Sequence, residues 1–257
     1  MTIHLAQRLG IGRLRIDALS YSDAITAIMM LAEERRSAYV VTPNADHVVR
    51  AETDDDYRTV CEGADLVLAD GMPLVLASLL LGRRLPGRVT GADLLPGLCA
   101  AATASDASVF LLGGLAGEAD LAAARLTAEY PGLRVAGTYF PPFGFELDAR
   151  ENERIVAAIN TVRPDLVFVG VGSPKQEKWI AQHRAQLACG VLLGVGIAIA
   201  FQAGTVRRAP RWIQKRGFEW LFRLSQEPRR LALRYWRNLA IFGIVLRTWR
   251  RRGEMNS

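Results

Sequence analysis

In the stretch Val167-Phe-Val-Gly-Val-Gly-Ser-Pro-Lys-Gln-Glu-Lys-Trp179, a short apolar run gives way to two glycines, Gly170 and Gly172. Ser173, Pro174 and a polar segment with helical spacing follow. The order reads as strand, tight turn, capped helix. Glycine allows a sharp turn and close approach of the backbone to a ligand. Ser173 is a good N-cap, Pro174 suits the first helical position, and Gln176 three residues on would complete a capping box. Lys175, Gln176 and Glu177 would then sit at the open end of a strand beside a positive helix terminus. Ligands of open α/β sheets bind there, anionic ones above all. Alone, the segment reads equally well as an ordinary βα turn.

Working outward, strand-like runs alternate with helical ones. Residues 12–20 alternate apolar and polar residues like an edge strand, and Ser22 or Asp23 would cap the helix after it. Strands are predicted at Ala38 to Thr42, Leu66 to Ala69, Val109 to Leu112, Leu133 to Thr138, Leu166 to Val169 and Val191 to Gly194. One helix is expected to run from Thr42-Pro-Asn-Ala-Asp-His47 to about Cys61, and Asp93 is expected to cap another. Such alternation argues for an α/β fold: a Rossmann-like, mostly parallel sheet with helices on both faces. From Ala209 onward there is no strand signal. Two helices are predicted there, one from Pro210 and one from Pro228 to Arg251. The second has an apolar stripe of Leu231, Tyr235, Leu239, Phe242, Leu246 and Trp249, flanked by arginines. The expected division is a catalytic body, 1–204, and a basic helical C-terminal appendage, 205–257.

At 257 residues, 50% hydrophobic and 23% charged, the chain can bury a sizeable core. The net charge of +6 hides an asymmetry. Residues 205–257 hold 14 Lys/Arg against 3 Glu, so a mildly acidic body carries a strongly basic tail. With tryptophans on an amphipathic helix, that suits an anionic membrane surface better than nucleic acid, for which no binding motif is present. A helix packed on the body with a solvated arginine face is the plainer reading. Cys61, Cys99 and Cys189 read as buried thiols in a reducing compartment. His4, His47 and His183 have no metal-ligand spacing, so neither a metal nor a cofactor is expected. The acid run Asp54-Asp55-Asp56 reads as a solvated helix face. No leader is expected at the N-terminus. The uncharged stretch Ala185 to Val206 reads as a strand and a small-residue helix rather than a membrane span.

Thr42, Asn44 and Asp70 all follow apolar strands, on the rim that would hold Gln176. Asp70 is suited to act as a general base toward a hydroxyl, or is a turn aspartate. Thr42 and Asn44 are suited to orient a polar substrate, or to cap a helix. Arg88, near Gly91 and Asp93, is suited to a phosphate, or is a surface arginine. Gly113-Gly114-x-x-Gly117 is weakly like a dinucleotide loop, but the next strand ends with no acid to hold a ribose.

The segments Thr42-Pro-Asn-Ala-Asp-His-Val-Val, Ala69-Asp-Gly-Met-Pro-Leu-Val, Arg88-Val-Thr-Gly-Ala-Asp-Leu, Val169-Gly-Val-Gly-Ser-Pro-Lys-Gln-Glu-Lys-Trp and Gly194-Val-Gly resemble the WecG/TagA/CpsF glycosyltransferases, glycosyltransferase family 26. So does Arg208-Ala-Pro-Arg-Trp…Gly217-Phe-Glu-Trp-Leu-Phe-Arg-Leu…Glu227-Pro-Arg-Arg. Pro43 is a departure from the pattern. The resemblance implies an inverting, metal-independent transfer of a hexose (N-acetylmannosamine, its uronic acid or glucose) from a UDP-sugar donor. The acceptor it implies is a polyprenyl-diphosphate-linked sugar at the inner face of the cell membrane, in bacterial surface polysaccharide synthesis. It makes Asp70 the catalytic base with Thr42 as its neighbour. Asn44, Arg88, Gly172, Lys175, Gln176 and Glu177 become substrate-binding residues. Arg223, Arg230 and Arg234 become diphosphate contacts on an appendage that closes the site. It leaves room for a homo-oligomer. The competing readings are a nicotinamide-dependent oxidoreductase and a non-catalytic adaptor that uses the basic tail.

Overall fold

The computed structural model describes residues 8–256, apart from the side chains of Lys215, Arg230, Leu233, Arg234 and residues 251–256. An antiparallel hairpin, β1 (Arg8–Ile11) and β2 (Leu14–Asp17), opens it. Six strands form the main sheet: β3 (Ala38–Val41), β4 (Leu66–Val67), β5 (Ser108–Gly113), β6 (Arg134–Tyr139), β7 (Leu166–Gly170) and β8 (Val191–Gly194). Their order is β4-β3-β8-β7-β5-β6, and every pairing is parallel. The α/β, doubly covered sheet read from the sequence is therefore the fold.

The central strands are apolar at every position because both faces are covered. Alternate residues go to opposite sides. Tyr39, Val41, Phe110, Leu112, Val167 and Val169 enter one core, which they share with the hairpin and Trp179. Val40, Val109, Leu111, Leu166 and Phe168 enter the other, under the helices Tyr21–Glu33, Gly91–Ala104 and Glu118–Glu129. Each such aliphatic or aromatic side chain contributes roughly 1.5–3 kcal/mol by leaving water.

Several local expectations are corrected. The predicted edge strand is only the second half of the hairpin, and it does not join the main sheet. Instead the buried Asp17 carboxylate accepts from Val67 N at 2.7 Å and from Arg8 Nε at 2.8 Å. A side chain thus occupies the β4 edge where another strand would pair. Ser20, not Ser22 or Asp23, caps the first helix, accepting from Asp23 N. The helix expected to reach Cys61 is two, Ala45–Ala51 and Asp55–Glu62, because Asp54 caps the second by accepting from Tyr57 N at 2.8 Å. The acid run is thus a cap and a first turn, where carboxylates meet the positive helix end. Thr90, not Asp93, caps Gly91–Ala104.

The C-terminal segment folds as four helices, Arg211–Lys215, Glu219–Gln226, Pro228–Asn238 and Ala240–Asn256, where two were expected. Gly217 breaks the first pair. It stands at φ +78°, and a Cβ there would lie 2.4 Å from Met72 Cγ. The break before Ala240 splits the expected stripe. Leu231, Ile241, Ile244 and Val245 are buried, whereas Leu239, Phe242, Leu246 and Trp249 are exposed. Thr248 Oγ1 accepts from Gly12 N at 3.2 Å, and Arg247 pairs with Glu52, so the last helix is held to the hairpin turn and the helix Ala45–Ala51.

At the carboxyl end of β5, Gly113 stands at φ +118° against β7, and a Cβ would lie 2.6 Å from both C and O of Gly170. Gly113→Ala should therefore cost about 3 kcal/mol, by combining left-handed strain with overpacking. Urea denaturation of the two proteins measures it.

Candidate active site

Because all six strands run the same way, the segments after β3, β4, β7 and β8 emerge on one rim. Backbone hydrogen bonds stitch them together. Leu68 N donates to Val41 O at 2.9 Å, Asp70 N to Pro43 O at 2.8 Å, Val89 N to Ala69 O at 2.7 Å and Val195 N to Val169 O at 2.9 Å. Pro43, the departure from the motif, thus supplies the carbonyl that holds Asp70. Side chains continue the seam. Thr42 Oγ1 donates to Gly194 O at 3.3 Å. Gln176 Oε1 accepts from Gly196 N at 3.0 Å, and its Nε2 donates to Glu177 Oε1 at 2.8 Å. Asp70, Thr42 and Gln176 therefore belong to one hydrogen-bonded rim.

Thr42, Gln176 and Glu177 are nearly buried and hold the Gly194–Val195–Gly196 turn from two sides. Burial pushes the Glu177 carboxyl up from the ordinary range, and the Gln176 amide partly opposes this. The expected Ser173/Gln176 capping box does not form. The helix begins at Lys175 with Pro174 at its cap and no side-chain cap. Gln176 is turned into the sheet, and the Ser173 hydroxyl faces Tyr57 at 3.5 Å. Asn44 does cap its helix, accepting from Asp46 N and His47 N. Gly172 turns at φ +85° with open space around it. Lys175 leans away from the rim. It pairs with Glu146 and lies 4.7 Å over the Phe143 ring.

Asp70 stands among charged groups from three segments. Desolvation by the protein packed around it, and next the negative charge of Glu219, push its carboxyl up to about 7, against the pull of Arg88 and Arg208. These neighbours form a chain. Arg88 Nη1 donates to Glu219 Oε2 at 3.0 Å, and Arg208 Nε donates to Glu219 Oε1 at 3.0 Å. Arg208 Nη2 lies 2.7 Å from Asp93 Oδ1, and Arg208 Nη1 donates to Ala92 O. Sequence reasoning assigned no role to Glu219 or Arg208. The available signal was a lone acid, with few others, in an arginine-rich tail. Arg223 stands one turn after Glu219 on the same helix and is half-buried. The side chains of Arg230 and Arg234 lie outside the described residues.

The dinucleotide alternative finds no room. Glu118 is buried at the N-terminus of the helix Glu118–Glu129, where it accepts from Leu115 N at 2.7 Å and from the Thr205 hydroxyl. A protein carboxylate thus fills the place a pyrophosphate would take. Cys61, Cys99 and Cys189 are free and buried, and burial pushes their thiols up to about 11 or 12.

The sequence profile of the Glycosyl transferase WecG/TagA/CpsF family matches residues 9–255. Among curated proteins, the chain is similar to the N-acetylglucosaminyldiphosphoundecaprenol N-acetyl-beta-D-mannosaminyltransferases of Staphylococcus aureus strains MW2 and NCTC 8325. Each is 32% identical over 200 residues, which cover 78% of this chain and 76% of theirs.

An Asp raised to about 7 holds a proton in the folded chain that the unfolded chain releases near 3.8. Its contribution to stability therefore falls as pH rises between those values, and the penalty is complete above 7. Asp70→Asn removes it. The variant should gain on its parent across that window and melt roughly 10 °C higher at pH 8. Calorimetry at pH 4.5 and pH 8 reads the difference.

Proposed function

The chain belongs to the WecG/TagA/CpsF glycosyltransferase family, and from that premise we propose that it transfers N-acetylmannosamine from its UDP-sugar to a polyprenyl-diphosphate-linked sugar. The name of the staphylococcal relatives supports both the sugar and the lipid-linked acceptor. The observation that carries the reading is Asp70, a carboxylate on the strand-end rim whose pKa is raised to about 7 by desolvation and by Glu219, near Arg88 and Arg208.

A general base works best when its pKa lies near the operating pH. Asp70 takes the proton of the acceptor hydroxyl as that oxygen attacks the anomeric carbon. The bond from carbon to the diphosphate oxygen breaks, and UDP leaves with the electron pair. One direct displacement inverts the centre. Arg88 offsets the charge that develops on the diphosphate, a task for which a planar guanidinium is suited, so the step needs no metal. Thr42, Asn44, Gly172, Gln176 and Glu177 shape the pocket floor. The C-terminal helices close it, with Arg223, Arg230 and Arg234 toward the acceptor diphosphate.

The protein works at the inner face of the cell membrane. Among the described residues no helix is long and apolar enough to cross a bilayer. Leu76 and Leu80, on the helix Met72–Leu80, face Ile241, Phe242, Leu246 and Trp249 across an apolar groove of about 380 Å³. Exposed apolar surface flanked by arginines suits the interface of an anionic bilayer.

Incubation of a UDP-sugar panel with a polyprenyl-diphosphate-N-acetylglucosamine acceptor, read by mass spectrometry, tests the reading. UDP-N-acetylmannosamine should give product, and Asp70→Asn should slow turnover by about 10²–10⁴-fold while still folding. The acid limb of kcat/KM should have an apparent pKa near 7, with activity rising as Asp70 ionises. Normal turnover by Asp70→Asn would leave the base unassigned and favour an adaptor.

The triple variant Phe242→Ser, Leu246→Ser, Trp249→Ser should lose at least roughly tenfold in binding to phosphatidylglycerol vesicles. Flotation measures it, and unchanged binding would remove the membrane face from the reading.

A further inference from the structure

The glutamate that joins the C-terminal helices to the strand-end rim stands where only a charge of that sign makes sense. Glu219 is the first residue of its helix, two residues after Gly217, which packs on Met72 beside Asp70. Its two carboxylate oxygens are divided between two guanidiniums from different parts of the chain, Arg88 at 3.0 Å and Arg208 at 3.0 Å. All three side chains are at least four-fifths buried. Arg208 is committed to structure: its three nitrogens meet Glu219, Ala92 O and Asp93. Arg88 is not. Among the described residues it is held through Nη1 alone, which leaves its Nε/Nη2 edge for a ligand.

We propose that Glu219 is a positioning residue, which aims Arg88 at the donor diphosphate and makes that aim depend on the C-terminal helices being docked on the rim. The inference rests on the proposed transfer from a sugar nucleotide with Asp70 as base. Arg88 sits on the loop that follows the helix Met72–Leu80, and an unheld arginine samples many rotamers. One carboxylate oxygen fixes its inner edge and presents the outer edge, a geometry suited to bidentate contact with phosphate. Arg208 in turn fixes Glu219 to the N-terminal end of the helix Gly91–Ala104. Removal of the C-terminal helices from the rim therefore removes the support of Arg88 along with the cover of the site. The groups that face Asp70 are Glu219 and Arg208 from the C-terminal segment, Arg88 from the loop and Asp93 from the helix Gly91–Ala104. Of the two acids among them, Glu219 acts more strongly in holding the Asp70 proton on.

The test is Glu219→Gln in the full-length protein, with Glu219→Asp as the conservative variant and Asp70→Asn as the control for the underlying reading. Circular dichroism and melting establish that each is folded. Glu219→Gln should raise the KM for the UDP-sugar on the order of tenfold, since Arg88 loses its charged anchor. It should also move the acid limb of kcat/KM down by about half a unit to one unit, since Asp70 loses a like charge. Glu219→Asp should keep the acid limb near the parent's and lose less in KM. Two outcomes would overturn the proposal. One is a uniform loss of kcat with donor KM and acid limb unchanged, which marks mere structural support. The other is a lower donor KM, which marks Glu219 as a competitor for Arg88. If Glu219→Gln does not fold, the Glu219→Asp pH profile and donor KM decide alone: a donor KM equal to the parent's overturns the proposal. Failure of the underlying reading is distinct, because it shows as normal turnover in Asp70→Asn.

Discussion

A parallel sheet cannot distribute its strand ends. Every crossover returns the chain to the same starting edge, so every strand delivers its carboxyl end to the opposite one. Here that constraint gathers Pro43, Asp70, Val89, Val169 and Val195, from segments far apart in sequence, onto one rim stitched by backbone hydrogen bonds. Position on the seam then settles what each side chain can do. Thr42, Gln176 and Glu177 point into the sheet and brace the turn after β8. Asp70, whose own backbone N–H makes the last bond of its segment, to Pro43 O, is set beside the charged groups of the C-terminal helices.

Burial is the first cause of the raised proton affinity of Asp70, and the negative charges around it add to that. Three carboxylates, Asp70, Asp93 and Glu219, share the site with two guanidiniums, Arg88 and Arg208. Asp93 is paired with Arg208, and Glu219 with both arginines. Asp70 has no such ion pair, and the negative charge of Glu219 adds to desolvation in raising its carboxyl. Two of these five groups, Glu219 and Arg208, come from beyond β8, so the C-terminal segment takes part in setting the charge state of Asp70.

Much of this was legible in the sequence, and the limits have physical reasons. The six strands of the sheet were readable because buried parallel strands are continuous apolar runs bounded by glycine and proline. The Asn44 cap and the Asp70 turn followed from their place after such runs. The failures concern choices that depend on what lies across the gap. Ser173 has good capping chemistry but faces Tyr57, and Gln176 bonds the turn after β8 instead of its own helix end. Nothing within thirteen residues specifies that. The second strand of the hairpin was read as an edge strand of the main sheet, and its true place was missed because the Asp17 carboxylate takes the Val67 N that a neighbouring strand would bond. Glu219 was passed over because its meaning lies in Arg88, 131 residues away.

The C-terminal helices show the same dependence on context, with a consequence for function. The periodicity from Pro228 to Arg251 implied one amphipathic helix with a single apolar stripe. The chain instead breaks before Ala240 and divides its apolar residues between two tasks. Ile241, Ile244 and Val245 pack on the body, while Phe242, Leu246 and Trp249 remain outside. The outer set meets Leu76 and Leu80, whose helix begins two residues after Asp70. That apolar surface is built jointly by the helix that follows Asp70 and the last helix. On the proposed reading, contact of that surface with a bilayer sets the height of Asp70 above it. A hydroxyl carried on a diphosphate at the end of a lipid is confined to a shallow layer at the interface, so fixing the base within that layer takes the place of a deep binding pocket for the acceptor chain.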